Sequence, residues 1–230
     1  MQKGKEPANG PSDGATPKAA VGRLSLYLRH LEALQRAGQE TISSTQLGRA
    51  LEITDAQVRK DLTYFGQFGY PGVGYRVQEL RDALRALFGT NRTWQVALVG
   101  AGNLGRALLG YRGFRSHGFA IGAVFDSDPK LHGKHLHGVE VYDVARLPEL
   151  ARTLGLALAV LAVPAESAQS AADIIVDAGI VGILNFAPVQ LRVPDVVAVV
   201  SVDLGLQLEQ LAFLVNQRTA TSTADSPSTP

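Results

Sequence analysis

The chain has 230 residues and a mass of 24.4 kDa, and 46% of its residues are hydrophobic, 19% charged and 7% aromatic. That length suits one or two domains with a substantial core. Lys plus Arg number 22 and Asp plus Glu 21, so a net charge of +1 offers no global attraction to nucleic acid, and any such function must rest on local motifs. The absence of cysteine excludes a disulfide framework, a thiolate zinc site, a cysteine-ligated iron–sulfur cluster and a thiol switch. The longest apolar run, Leu154 to Pro164, is too short to span a bilayer, and the polar N-terminus does not read as a signal peptide.

Residues 1–20 are rich in Gly and Pro and poor in large apolar side chains, which predicts a disordered tail; residues 217–230 read the same way. Leu24, Leu28, Leu31 and Leu34 recur at helical spacing, predicting an amphipathic helix over 21–37 that ends at Gly38. Ser43-Ser44-Thr45-Gln46 fits a capping box opening a short helix to about Leu51, and Thr54-Asp55-Ala56-Gln57 fits a second, opening a helix through Tyr64. The Gly- and aromatic-rich stretch 66–75 suits a tight β-hairpin, and helical spacing resumes over 77–88.

Short helices separated by a brief turn and followed by a hairpin make a winged helix-turn-helix over 21–90. In its third helix Ala56, Val58, Leu62 and Phe65 are expected toward the core, leaving Gln57, Arg59, Lys60, Thr63 and Tyr64 on the other faces. Gln can pair with adenine, and Arg or Lys with guanine, in the major groove of double-stranded DNA. The hydroxyls of Ser44, Thr45 and Tyr64 suit phosphates, and Gly72 lies in the hairpin that would form the wing. Nine Lys/Arg against seven Asp/Glu over 21–90 make the segment only mildly basic, so a solvated polar face is the alternative reading.

From Trp94 the pattern becomes strands alternating with helices. Strands are expected at 95–100, 119–126, 139–142, 156–163, 181–186 and 197–202, with helices at 103–111, 143–154 and 165–179. The continuous β-branched and apolar strands suit a parallel sheet covered on both faces. The fold class is therefore α/β, a winged helix-turn-helix followed by a Rossmann-like doubly wound domain over 91–203. A last helix, 204–216, is apolar on most of its circumference, which suggests insertion between domains or subunits.

Gly100-Ala101-Gly102-Asn103-Leu104-Gly105 matches G-x-G-x-x-G between a strand and a helix, the context in which a glycine turn brings a helix N-terminus up to a pyrophosphate. Asp126 ends the second strand 21 residues after Gly105 (126 − 105), where a carboxylate accepts from the ribose hydroxyls. With Ser and no Arg at position 127, NADH and NAD+ are favoured over their 2′-phosphorylated forms; a glycine turn in an ordinary α/β protein is the alternative. Val163 and Pro164, and Asn185, Phe186 and Pro188, sit at later strand ends where the nicotinamide should lie, or their prolines merely end strands. His132, His135 and His137 fall in a Gly-containing loop without a convincing carboxylate partner; a solvated loop is expected rather than a metal site.

Five segments stand out: ITDAQVRKDLTYFGQFGYPGVGY from Ile53, VGAGNLGRAL at 99–108, FDSDP at 125–129, ILNFAP at 183–188 and VDLGLQLEQLAFLV at 202–215. Together they resemble the Rex family of redox-sensing transcriptional repressors. The resemblance spans about residues 20–217. It implies a cytoplasmic homodimer whose C-terminal helix is exchanged between subunits. It also implies binding to palindromic operators of respiratory and fermentative genes, with release by NADH and weaker binding of NAD+. By the same resemblance, Tyr111 and Asp203 belong to a nicotinamide-linked network with Arg29 as its winged-helix partner. The competing reading is an NAD-dependent oxidoreductase with a helical appendage. Against it, no His or Lys follows Tyr142 to serve as acid or base, and no room remains for a second catalytic domain.

Overall fold

The computed structural model describes residues 18–224, which divide into two units that meet in sequence between Arg92 and Thr93. The expectations for residues 1–17 and 225–230 lie outside the described residues.

In the first unit, α1 (Lys18–Arg36) buries Leu24, Tyr27, Leu28 and Leu31, a stripe at the 3.6-residue period. Its helix starts before residue 21, so residues 18–20 are not part of a tail, and Ala20 is buried. Next come β1 (Thr41–Ile42), α2 (Ser44–Leu51) and α3 (Asp55–Phe65). The turn between α2 and α3 is tight: a Cβ on Gly48 would lie 2.4 Å from the carbonyl oxygen of Ile53. The hairpin β2 (Gly69–Tyr70) and β3 (Gly74–Arg76) is closed by a type II turn, with Pro71 then Gly72 at φ 75° and the Val73 N–H donating to the Tyr70 carbonyl. β1 pairs with β3, so the sheet order is β1-β3-β2; the sequence reading missed β1 because two residues carry no readable alternation. α4 (Val77–Leu87) closes the core through Val77, Leu80 and Leu84.

The second unit follows the order β4 (Trp94–Val99), α5 (Asn103–Leu109), α6 (Gly113–Ser116), β5 (Phe119–Asp126), β6 (His135–Leu136) and β7 (Val139–Asp143). A 3-10 turn (Val144–Arg146) leads into α7 (Leu147–Leu154), then β8 (Leu156–Leu161), α8 (Ala165–Asp177), β9 (Gly182–Asn185), β10 (Ala198–Ser201) and α9 (Leu204–Ala224). The sheet order is β10-β9-β8-β4-β5-β7-β6, parallel throughout except for the edge strand β6. β4 shows why the strand sequences are continuously apolar. Val96 and Leu98 enter the core on one face, Ala97 and Val99 the core on the other.

Three sequence expectations change. The helix expected over 103–111 stops at Leu109, with Gly110 as its C-cap, and the one-turn α6 follows as a separate element that the sequence reading missed. The histidine segment is not simply a loop: His135 pairs with Glu140 in the β6–β7 hairpin, whose two-residue turn places His137 and Gly138 at φ 47° and 83°. α9 continues to Ala224 instead of stopping at 216, since no Gly or Pro interrupts the chain before Pro227. Every described side chain of α9 from Leu204 to Gln217 is exposed within the single chain, including Leu208, Leu211, Phe213 and Leu214.

Candidate functional site

The strand order reverses at β4, flanked by β5 on one side and β8 on the other. The connections leaving β4 and β8 therefore part to opposite faces and open a crevice at the C-terminal strand ends. A cavity of about 310 Å³ lies there, lined by Gly100 and Gly102 after β4, Phe125 and Asp126 of β5, and Val163 and Pro164 after β8.

The three glycines serve different ends. Gly100 has φ 101°, and a Cβ on it would lie 2.4 Å from the Ala162 carbonyl oxygen. On Gly105 the added atom would lie 1.9 Å from the Gly100 carbonyl oxygen, so α5 packs directly on the turn. On Gly102 it would meet nothing within 4 Å. The protein itself requires the first and third glycines; the second borders open space at the cavity, as a pyrophosphate cradle does. Ala101 is buried, while Asn103 and Leu104 are exposed at the start of α5, whose first N–H groups lie outside the helix's own ladder.

Asp126 is held rather than free. Its Oδ2 accepts from the Ala101 N–H at 2.7 Å and its Oδ1 from the Asp128 N–H at 2.8 Å, while Nε2 of His132 donates to its peptide oxygen at 2.9 Å. The carboxylate is thereby oriented with lone pairs to spare for hydroxyl donors. The sequence reading missed Val144 and, on α8, Ser167, Ser170, Ala171 and Ile174, which complete the cavity wall. Their signal was faint. Ser167, Ser170 and Ile174 flank the buried stripe of Ala168, Ala171, Ala172 and Ile175 on α8, and Val144 lies in the 3-10 turn after β7.

The residues expected at the nicotinamide end are more scattered. Asn185 is fully buried at the end of β9; its Nδ2 donates to the carbonyls of Ala187 and Val189, and its Oδ1 accepts from the Ala187 N–H. Its amide braces the loop that carries Phe186 and Pro188, and none of the three lines the cavity. Tyr111 is exposed in the break between α5 and α6, edge-on to Phe114. Asp203 is exposed and caps α9, its Oδ1 accepting from the Leu206 N–H at 3.1 Å. Arg29 is exposed on α1 of the first unit. Among the described residues no group of three or more His, Asp or Glu is placed to hold a metal ion.

In the first unit, α3 exposes Arg59, Lys60, Thr63 and Tyr64, and Thr45 and Gly72 are exposed on α2 and the hairpin turn. Arg59 donates to Asp55 at 2.8 Å and to Oγ of half-buried Ser44 at 3.0 Å. The guanidinium holds the Asp55 carboxyl below its ordinary value, but both partners are exposed and the pair yields readily to a stronger anion. Ala56 is exposed, contrary to expectation, and the core position belongs instead to Asp61.

Asp61 is buried yet charged, because four hydrogen bonds satisfy it. Arg23 donates from Nε at 2.6 Å and from a terminal nitrogen at 2.8 Å, the Tyr27 hydroxyl at 2.9 Å and Nε2 of Gln57 at 2.7 Å. Burial alone would raise its carboxyl; the bonds from Arg23, Tyr27 and Gln57 outweigh it and hold the group below the usual range. Burial, then the bond to Asp61, pushes the Tyr27 hydroxyl well up. The carboxyl's contribution is complete above its unfolded value and fades as pH falls through the lower folded one. The tyrosine's is complete below its unfolded value and fades as pH rises through the higher folded one. Denaturant midpoints of the N-terminal unit should therefore be flat from about pH 4 to about pH 10 and fall outside that range, and Asp61→Asn should flatten the acid limb.

A family model described as "CoA binding domain" matches residues 91–189, and one described as "Putative DNA-binding protein N-terminus" matches residues 15–63. The redox-sensing transcriptional repressor Rex of Carboxydothermus hydrogenoformans is 49% identical over 201 residues, 87% of this chain and 97% of the relative. The chain belongs to the Rex family. The Rex of Desulfitobacterium hafniense is 47% identical over 204 residues, covering 89% and 97% of the two chains. Among solved structures, RSP in complex with β-NAD+ and operator DNA matches with a TM-score of 0.85 at 34% identity, over 94% of this chain and 100% of that one. RSP in complex with β-NADH matches with a TM-score of 0.82 at 33% identity, over 93% and 100%. Rex proteins are repressors, so this chain is no dehydrogenase despite its Rossmann crevice. Among the described residues no helix is long and apolar enough to cross a membrane.

Proposed function

We propose that this Rex-family chain is a cytoplasmic, homodimeric repressor that holds operator DNA through its winged helices and lets go when NADH fills the crevice. The observation that carries the reading is the pairing, in one chain, of a winged helix with a glycine turn that is open only at Gly102. The RSP complexes with β-NAD+ plus operator DNA and with β-NADH support the same cofactors and the same partner here.

A ligand shifts a conformational equilibrium only by its differential affinity for the two states. Two-fold symmetric recognition helices read successive major grooves only at a separation of about 34–36 Å, so a small rearrangement of the dimer suffices to release DNA. The exposed apolar α9 supplies surface for dimerisation. NADH and NAD+ differ in the charge of the nicotinamide ring. Asp203, together with Tyr111 and Arg29, is proposed to read that charge. Since Asp203 also caps α9, any re-pairing of its carboxylate acts on the end of the dimerisation helix.

The decisive measurement is a gel shift on a palindromic operator at fixed salt, titrated separately with NADH, NAD+ and NADPH. Release by NADH alone is expected; indifference to all three would end the reading. On the same operator, Lys60→Ala should weaken binding evenly across sequence variants and lower the slope of log affinity against log salt by about 1, as loss of one phosphate contact does. Asp203→Ala should bind DNA but lose the difference between NADH and NAD+.

A further inference from the structure

α3 divides its residues between two faces. Val58, Asp61 and Leu62 are buried. Ala56, Arg59, Lys60 and Thr63, at positions i, i+3, i+4 and i+7, are exposed together on the other face. That face carries two cations, one hydroxyl and, at its N-terminal end, the methyl group of Ala56. An apolar residue near the start of this helix was expected in the core; the fold turns it outward instead.

Helical side chains lean toward the N-terminus, so Arg59 and Lys60, one turn further on, are the residues placed to cover Ala56. Ala56 nevertheless stays exposed. The Arg59 guanidinium is drawn toward α2, its Nη1 donating to Asp55 at 2.8 Å and to Oγ of Ser44 at 3.0 Å. The start of α3 therefore presents a small, bare apolar group beside donors.

A helix in the major groove meets base edges chiefly through its N-terminal residues. The size of a side chain there limits how near the backbone comes, and alanine obstructs less than any residue but glycine. Thymine is the one base that shows an apolar group in that groove, its C5-methyl, and the alanine methyl group is a suitable partner for it. We infer that Ala56 is a specificity-determining residue of operator recognition, packing its methyl group against the C5-methyl of one thymine in each half-site. This rests on α3 being the helix that enters the major groove. Cytosine lacks the methyl group and is disfavoured at that position.

The test uses the full-length protein and an operator that it binds, with affinities measured at fixed salt. Each thymine is replaced in turn by uracil, which removes only the methyl group. At one thymine in each half-site the exchange should weaken wild-type binding by about fourfold, the scale of one buried methyl group. In Ala56→Gly the same exchange should have no effect, while any other sensitive thymine keeps its response. The quantity read is the ratio of thymine to uracil affinity within each variant. Any loss that glycine causes through helix propensity falls on both operators alike and cancels. Ala56→Ser, which sets a hydroxyl against the methyl group, is the second variant and should shrink the same ratio. Ala56→Val should melt close to wild type, since its added carbons face solvent in the free protein, yet bind the operator at least about tenfold more weakly by crowding the groove. A helix-forming role alone for Ala56 predicts none of these ratios. The inference is overturned by a wild-type protein indifferent to every uracil exchange, by ratios unchanged in both Ala56→Gly and Ala56→Ser, or by wild-type operator affinity in Ala56→Val. Failure of the wild-type protein to bind any operator would instead overturn the DNA-binding reading, and this inference with it.

Discussion

Replacing Gly102 with alanine should leave the melting temperature unchanged and raise the dissociation constant for NADH by about 100-fold, roughly 2.7 kcal/mol. The two halves of that result have separate causes. The backbone at Gly102, φ −69° and ψ −167°, suits any residue, and a Cβ there meets nothing within 4 Å, so folding does not notice it. The methyl group occupies the space through which a pyrophosphate must approach the N–H groups at the start of α5. Charge-assisted bonds of that kind contribute about 1.5–3 kcal/mol each. The variant should keep operator affinity and ignore NADH, behaving as a permanent repressor. Gly105→Ala is the contrasting control, because its methyl group would lie 1.9 Å from the Gly100 carbonyl oxygen and must displace α5. It should lower the melting temperature as well as NADH affinity. Tight NADH binding by Gly102→Ala would remove this crevice as the sensor.

Asp61→Ala should cost the N-terminal unit about 3 kcal/mol, at the lower end of the range for stripping one partner from a buried ion pair. The lower end applies because the Arg23 side chain keeps 28% of its exposure and recovers some hydration. What remains buried is the Tyr27 hydroxyl, at 0% exposure and without its acceptor. Operator binding should fall sharply, since α3 is tied to α1 through this quartet. NADH affinity should hold, because the core of the first unit draws only on residues between Leu24 and Phe88, while the crevice is built on the sheet of the second. Chemical denaturation and an NADH titration on the same sample measure both. Wild-type operator affinity in Asp61→Ala would mean that the quartet does not set the geometry of α3.

Much of this was readable beforehand, and the exceptions have physical causes. The alternation of strands and helices after Trp94 was plain because strands buried on both faces must be apolar along their whole length. The positions of Asp126 and the glycine turn at one crevice were plain because the motif is defined by spacing along a strand–turn–helix unit. Asp61 was not. An aspartate on the core side of an amphipathic helix looks like a pattern error until Arg23, 38 residues earlier, is seen to meet it. Gln57 was assigned to a capping box by local sequence, and the local rule lost to a carboxylate one turn further on. Asn185 shows the converse: a polar residue at a strand end reads as a ligand contact, yet its amide is spent on the loop that follows.

The sequence by itself determined the glycine turn and the helix-turn-helix, because each is encoded by residues within about 30 positions of one another, and the two-part architecture and the family, because such local signals recur along the whole chain. The tertiary structure alone decided which polar groups are free to act. Hydrogen-bond capacity is a property of the folded neighbourhood: Asp126 is oriented by Ala101 and Asp128, and Asp61 is saturated by α1 and Gln57. The absence of cysteine and the near-zero net charge fit this division. The chain has no thiol chemistry of its own and no large excess of basic residues. In the proposed function it relies on one glycine turn and one short helix, and the placement of their donors and acceptors is settled only when the chain has folded.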